Sequence, residues 1–279
     1  MADELGTYAE NTWCPGCGNF GILNAFKKAV LKLEERGTPR QHVAIVAGIG
    51  QHAKIFDYLS LSGFYSIHGR ALATAQGMKL ANPGMKVVAF VGDGDAYGEG
   101  IAHMMFAAKR DSDITVIVHN NGVYALTTGQ YAPTSARGFR GPSTPGGSVE
   151  EPFNPLALVL AAGAGFVSRG YPMKMDHLVD LFVKGIEHEG FSLVDVLQPC
   201  VTFNNTYKLY NEKAIELELT PESYEDSLAA VRRTDKALLG VFRDVKGEPF
   251  HKKMLGDRNP VDTRRSPEER QKAIAAVLD

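Results

Sequence analysis

KVVAFVGDGD, residues 86–95, is nearly all apolar and β-branched until it breaks at Gly92-Asp93-Gly94. An apolar run without polar alternation suits a strand covered on both faces of a parallel sheet. The glycines let backbone approach a ligand closely, and Asp93 puts a carboxylate at the strand's C-terminal end. The pattern repeats outward from this stretch. Upstream, GRALATAQGMKLAN at 69–82 reads as an alanine-rich buried helix closed by Pro83-Gly84, and HVAIVA at 42–47 as a strand running into Gly48-Ile49-Gly50. FGILNAFKKAVLKLEER at 20–36 recurs apolar at helical spacing and stops at Gly37. Downstream, residues 98–109 form a helix and ITVIVH at 114–119 a second buried strand, ending at Asn120-Asn121-Gly122. Helices are expected at 155–165 and 174–188, then a strand at 191–197 leading to Gln198-Pro199-Cys200. Together these predict a doubly wound α/β fold with a mostly parallel sheet and its chemistry in the loops after the strands.

Residues 129–154 change character, being crowded with Gly, Pro, Ser and Thr. They read as a solvated linker or a loop that wraps a ligand. Residues 207–279 are more polar. A boundary is therefore expected at 206, with a cofactor domain over 1–206 and an extension over 207–279 packing on the core or a partner chain. No internal repeat or low-complexity tract is visible.

Composition narrows the class. Hydrophobic residues make up 44% and charged residues 22% of the 279, so the chain is not a disordered one. The formal net charge of −2 argues against a general nucleic-acid surface. No apolar run reaches the roughly 20 residues of a spanning helix, so no membrane partner is expected. The opening Met1-Ala2-Asp3-Glu4-Leu5 lacks the basic and apolar regions of a secretory signal, which predicts the cytoplasm, where thiols stay reduced. Three cysteines, Cys14, Cys17 and Cys200, cannot form a closed disulfide framework.

Two motifs carry chemistry. Asp93 at one strand end and Asn121 at the next offer hard oxygen ligands to one Mg²⁺ that bridges protein to phosphate. Glycine-flanked aspartate after a buried strand, followed by Asn-Asn after the next, is the pattern of thiamine-diphosphate enzymes. The second motif is Trp13-Cys14-Pro15-Gly16-Cys17-Gly18. Taken alone, this CxxC fits an iron–sulfur ligand pair, half a zinc site, a redox pair or a reduced structural pair.

The ordered set WCPGCG (13–18), GIG (48–50), IHGRALATAQGMKLANP (67–83), VGDGDAYGEG (91–100), NNGVYALTTGQYAPTS (120–135) and QPC (198–200) closely resembles the β subunit of 2-oxoacid:ferredoxin oxidoreductases. The resemblance covers roughly residues 8–210. It implies a thiamine-diphosphate-binding fold, specifically the diphosphate-binding half. The implied activity is oxidative decarboxylation of a 2-oxoacid to an acyl-CoA with ferredoxin taking the electrons, or the reverse carboxylation. 2-Oxoglutarate is the preferred substrate and pyruvate the next. The resemblance further implies Mg²⁺ ligation by Asp93, Asn121 and the Val123 carbonyl. It puts Gly92, Gly94 and Asp95 on the diphosphate turn and Tyr124, Ala125 and Leu126 after the metal loop. Gly48, Ile49, Gly50 and Gln51 approach the cofactor from the preceding strand, and His68, Gly69 and Arg70 lie near the site, His68 and Arg70 being the candidates for a catalytic role. Cys14, Cys17 and Cys200 match cluster ligands, most simply of a 4Fe-4S centre. An α chain is expected to hold the aminopyrimidine, giving an αβ heterodimer or an α2β2 assembly.

The chain departs from the family in two places. Many relatives carry a fourth cysteine where this chain has Gln51, and others carry it near Leu61, so four thiolates are not available from this chain. His52 and, more weakly, Asp57 are candidate substitutes; His52 also fits a diphosphate-side donor or a surface residue. Relatives often have lysine where Thr128 stands, so CoA would draw on Arg137, Arg140 or the α chain. The alternative is a non-redox thiamine-diphosphate decarboxylase or synthase subunit, which has no use for the cysteines.

Overall fold

The computed structural model describes residues 5–262 and 265–278. The reading of residues 1–4 as free of a leader signature lies outside these. The elements are, in chain order, α1 (Asn19–Glu35), β1 (Val43–Ala47), β2 (Ser62–Tyr65), α2 (Ala71–Ala81), β3 (Lys86–Gly92), α3 (Ile101–Arg110), β4 (Thr115–Asn120), the short pair β5 (Val123–Tyr124) and β6 (Gln130–Tyr131), α4 (Pro155–Ala161), β7 (Phe166–Gly170), α5 (Met175–Glu187), β8 (Ser192–Leu197), α6 (Tyr207–Lys213), β9 (Ala214–Glu216), α7 (Tyr224–Val231), β10 (Ala237–Asp244), α8 (Phe250–Leu255) and α9 (Pro267–Leu278). Among the described residues no helix is long and apolar enough to cross a membrane.

Eight strands form one sheet in the order β2-β1-β3-β4-β8-β7-β10-β9. Every neighbouring pair is parallel except β7 with β10. The apolar reading of β1, β3, β4 and β8 follows from their position. They are central strands with helices on both faces, and β1, β4 and β8 are buried at every residue. Within β3, Val88 and Phe90 face a core built with α1 and α5, where Phe26 meets Phe90 edge-on at 4.8 Å. The alternate residues Val87, Ala89 and Val91 face the opposite core, with α2, α3 and α4.

After β1 the chain moves outward to β2, and after β3 it moves the other way to β4. The loops following β1 and β3 therefore diverge from adjacent strands. This switch in strand order opens a crevice beyond their carboxyl ends, which is where open α/β sheets bind ligands.

Four differences from the sequence reading matter. The helix expected from 98 begins instead as a wide π-type turn over Gly94–Glu99 before α3. β2 and β7 add strands between the expected helices. The polar stretch from 207 supplies β9 and β10, and β10 buries Leu239 and Phe242 fully. The expected boundary at 206 thus falls within a continuous sheet.

Candidate active site

A cleft of about 500 Å³ occupies the crevice between the β1 and β3 ends. Its walls include Ile49, Gly50, Gln51, His68, Gly92, Asp93, Gly94, Asp95, Asn121, Val123, Tyr124, Ala125 and Leu126. The structure therefore gathers there nearly all the residues expected of a diphosphate site. Gly48 and Gly69 lie just behind the wall: the Gly69 N–H donates to Asp95 Oδ1 at 2.6 Å, and a Cβ on Gly48 would fall 1.7 Å from Asp95 Oδ2. Arg70 does not line the cleft; its Nη1 donates to the carbonyls of Gly69 at 3.2 Å and Glu99 at 3.4 Å.

Two glycines are dictated by space. A Cβ on Gly94 would sit 2.2 Å from the Tyr124 ring, and Gly48 has the clash just described. Gly48→Ala is therefore expected to displace the Asp95 carboxylate and lower the melting temperature by several degrees, about 1–3 kcal/mol of overpacking. It should also weaken thiamine diphosphate binding. Differential scanning fluorimetry with and without cofactor measures both, and an unshifted melting temperature would sink the argument.

Asp93 and Asp95 are both buried. Burial raises the carboxyl of each to about 6, partly opposed by hydrogen bonds, for Asp93 chiefly from Thr134 and for Asp95 from the Gly69 N–H. Asp93 Oδ2 accepts from the Gly122 N–H at 3.1 Å and from Thr134 Oγ1 at 2.6 Å. His68 Nδ1 lies 3.0 Å from Asp95 Oδ1. Asp95 Oδ2 and His52 Nε2, 3.8 Å apart and both buried, have no hydrogen-bond partner among the described residues. Burial, then the neighbouring His68, pushes His52 down to about 3, so it is a neutral ring. Two unsatisfied polar atoms behind a glycine-lined cleft fit a polar ligand, which would complete their bonding.

Residues the sequence reading missed hold this site from behind. Thr134 Oγ1 also lies 2.9 Å from Asn120 Oδ1, so one hydroxyl proton faces two acceptors. Asn120 Nδ2 in turn donates to Asp195 Oδ1 at 3.0 Å. Asp195 is fully buried and also receives Tyr97 Oη at 2.9 Å and Arg169 Nε at 2.9 Å. The signals were available: Thr134 belongs to the GQYAPTS motif, and Asp195 interrupts an otherwise apolar strand. The loop 129–154 is a wrapping loop rather than a linker at this point. Thr134 reaches Asp93, and Ser135 Oγ donates to the Gly122 carbonyl at 2.6 Å. Further along it, Arg137 pairs with Glu151 at 2.8 Å, while Arg140 lies exposed in the same loop and Thr128 takes a left-handed φ of 74°.

The three cysteines gather around an adjoining cavity of about 480 Å³. The Gly18 N–H donates to the Pro199 carbonyl at 3.2 Å, joining the CxxC turn to the loop after β8. Trp13 anchors that turn, its Nε1 donating to the Gln51 carbonyl at 2.7 Å and its ring edge-on to Phe20 and Tyr58. All three thiols are free. Burial, then Cys200 and Cys14 nearby, pushes the Cys17 thiol up to about 11. Thr202 Oγ1 lies 3.4 Å from Cys14 Sγ and Gln198 Nε2 lies 3.6 Å from Cys17 Sγ, both as donors. Among the described residues no three His, Cys, Asp or Glu side chains converge on a single metal ion. In a cluster each thiolate binds its own iron, so thiols spread around a cavity fit that group better than one ion. Neither His52 nor Asp57 lines the cysteine cavity. His52 belongs to the cleft, and Asp57 borders a separate surface hollow beside Lys54. Gln51, Asn121 and Ala125 line both the cleft and the cysteine cavity, so the two share a wall.

The family model described as "Thiamine pyrophosphate enzyme, C-terminal TPP binding domain" matches residues 41–196, from just before β1 to the end of β8. The fold and cleft thus define a thiamine-pyrophosphate-binding enzyme domain. The chain is 39% identical to the 2-oxoacid:ferredoxin oxidoreductase subunit beta of Saccharolobus solfataricus, over 90% of this chain and 87% of that one. It is 37% identical to the 2-oxoglutarate synthase subunit KorB of Archaeoglobus fulgidus, over 91% and 92%. A solved 2-oxoglutarate:ferredoxin oxidoreductase from Magnetococcus marinus, with 2-oxoglutarate, coenzyme A and succinyl-CoA bound, superposes with a TM-score of 0.90 at 30% identity, covering 100% of this chain and 96% of that one. The chain belongs to the β subunits of the 2-oxoacid:ferredoxin oxidoreductases.

Proposed function

We propose that the chain binds thiamine diphosphate with Mg²⁺ in the cleft and an iron–sulfur cluster in the cysteine cavity, for CoA-dependent oxidative decarboxylation of a 2-oxoacid. One observation carries the reading: the two cavities share a wall made by Gln51, Asn121 and Ala125. A non-redox thiamine enzyme has no need of three free thiols at that place. When bound, the cofactor supplies the carbon nucleophile and electron sink for decarboxylation, and the cluster supplies a one-electron acceptor.

The chain's own residues position and enclose. Asp93, Asn121 and the Val123 carbonyl would hold the metal, and Gly92, Gly94 and Asp95 would cradle the diphosphate. Burial makes ionised Asp93 costly, and an adjacent divalent cation offsets that cost. Thr134 and the Gly122 N–H fix the carboxylate's orientation. His52 and His68 offer hydrogen bonds on the Asp95 side of the cleft. Cys14, Cys17 and Cys200 would bind three irons, leaving a fourth ligand to another source.

Exposed Ile49, Phe64, Ile67 and Leu126 surround the cleft mouth and the adjacent β2 edge, a surface suited to an α chain that closes the site. In this role the chain would work in an αβ or α2β2 complex in the cytoplasm, with ferredoxin as electron partner. 2-Oxoglutarate is favoured over pyruvate because the KorB relative and the Magnetococcus marinus enzyme are named for it. The test is the α–β complex, purified anaerobically and assayed for viologen reduction with a panel of 2-oxoacids, with and without CoA. The expected result is CoA-dependent reduction, fastest with 2-oxoglutarate, in an iron-containing protein absorbing near ~400 nm. Iron-free protein inactive toward every 2-oxoacid would defeat the reading.

A further inference from the structure

Behind the cofactor cleft lies a second, larger hollow of about 1030 Å³, open to solvent on one side. Asn120, the last residue of β4, lines it, whereas the next residue, Asn121, lines the cleft. The hollow is therefore separate from the place where the reacting carbon would sit. Every charged side chain lining it is cationic: Arg169, Lys213, Arg233 and Lys236. This is uneven for a chain with a net charge of −2.

The cations are not equivalent. Arg169 sits deepest, with 17% of its side chain exposed, and its Nε is fixed by the buried Asp195 at 2.9 Å. Its other two guanidinium nitrogens bond to no described residue and remain accessible from the hollow. Arg233 is balanced by Asp235 at the rim, 2.7 Å away. Lys213 and Lys236 form no ion pair among the described residues. The hollow thus offers an oriented guanidinium fork at its floor and two ammonium groups at its mouth that sit in no close ion pair, although Lys236 is near enough to Asp235 to help, after Arg233, to lower its carboxyl. A planar fork with point charges above it is the donor set that binds a phosphate group, whose several oxygens accept from both kinds.

We propose that this hollow binds the phosphate of a small phosphorylated metabolite distinct from the cofactor and from coenzyme A. The phosphate engages Arg169 at the floor, with Lys213 and Lys236 closing over it. The remaining room accommodates the metabolite's carbon skeleton against Phe153 and Leu209.

Calorimetric titration of the α–β complex with inorganic phosphate tests this. Excess thiamine diphosphate and Mg²⁺ fill the cleft beforehand, and their own binding is measured first, so failure there is read separately. One phosphate should bind per chain. The double variant Lys213→Gln with Lys236→Gln should weaken binding by about tenfold while leaving viologen-linked activity unchanged. Lys246→Gln, on an exposed lysine outside the hollow, should have no effect. Undiminished affinity in the double variant, an equal loss with Lys246→Gln, or no binding at all would overturn the proposal. Displacement of phosphate by CoA would also overturn it, by assigning the hollow to the coenzyme.

Discussion

Replacing Asp93 with asparagine is expected to abolish 2-oxoacid oxidation, by about three orders of magnitude at cofactor concentrations that saturate the native complex. The substitution keeps the shape of the side chain. The amide oxygen can still accept from the Gly122 N–H and from Thr134, which meet the native carboxylate at 3.1 Å and 2.6 Å. What disappears is the negative charge that would face the proposed metal, so the chain should fold and pair with its α chain as before. Equilibrium dialysis of thiamine diphosphate against the complex, with Mg²⁺ varied, separates binding from chemistry. Native retention of the cofactor at ordinary Mg²⁺ concentration would show that Asp93 is not a metal ligand. Denaturant unfolding of the variant should move little, since the neutral side chain also removes the cost of a buried carboxylate.

Cys200→Ser should split the two halves of the reaction. Cys200 is buried and lines the same cavity as Cys14 and Cys17, and no other cysteine in the chain can replace it. Serine differs by one atom, and the loop's backbone bonds between Cys200 and Asn204 do not involve the side chain. Iron content and absorbance near ~400 nm should fall to background. Viologen reduction should fall by at least about a hundredfold, while thiamine diphosphate binding stays native. Retained iron and full viologen activity would mean that the three thiols serve a structural purpose only. Loss of cofactor binding as well would mean that the shared wall, rather than an electron acceptor, is what these residues maintain.

The parts of this structure legible in the sequence are those in which neighbouring residues share one environment. In β3, Val87 through Val91 are buried on both faces, so each residue carries the same apolar message, and Asp93 stands out by breaking it. Strand β2 was hidden because Ser62–Tyr65 is an exposed edge with neither run nor alternation. Strand β7 was hidden because it holds Ser168 and Arg169, whose polarity is satisfied by the Leu193 carbonyl and by Asp195. No local pattern predicts such a pairing, since it spans separate strands. The same holds for Thr134: its motif could be recognised, but its hold on Asp93 and Asn120 depends on how a loop without periodicity returns to the sheet. His52 was weighed as a cluster ligand because it follows Gln51. The helical turn over 51–58 instead turns it into the cleft.

The joining of the CxxC turn to Pro199 has a consequence for how the protein is made. Cys14 and Cys17 leave the ribosome first, whereas Cys200 follows nearly the whole α/β core. The Gly18–Pro199 hydrogen bond can form only after β8 has added beside β4. Until then the first two thiols have no third to share an iron centre with. Loading of the proposed cluster would thereby fall at the end of biosynthesis, as a check that β8 has docked, and a nascent chain stalled earlier would offer iron only a pair of thiols.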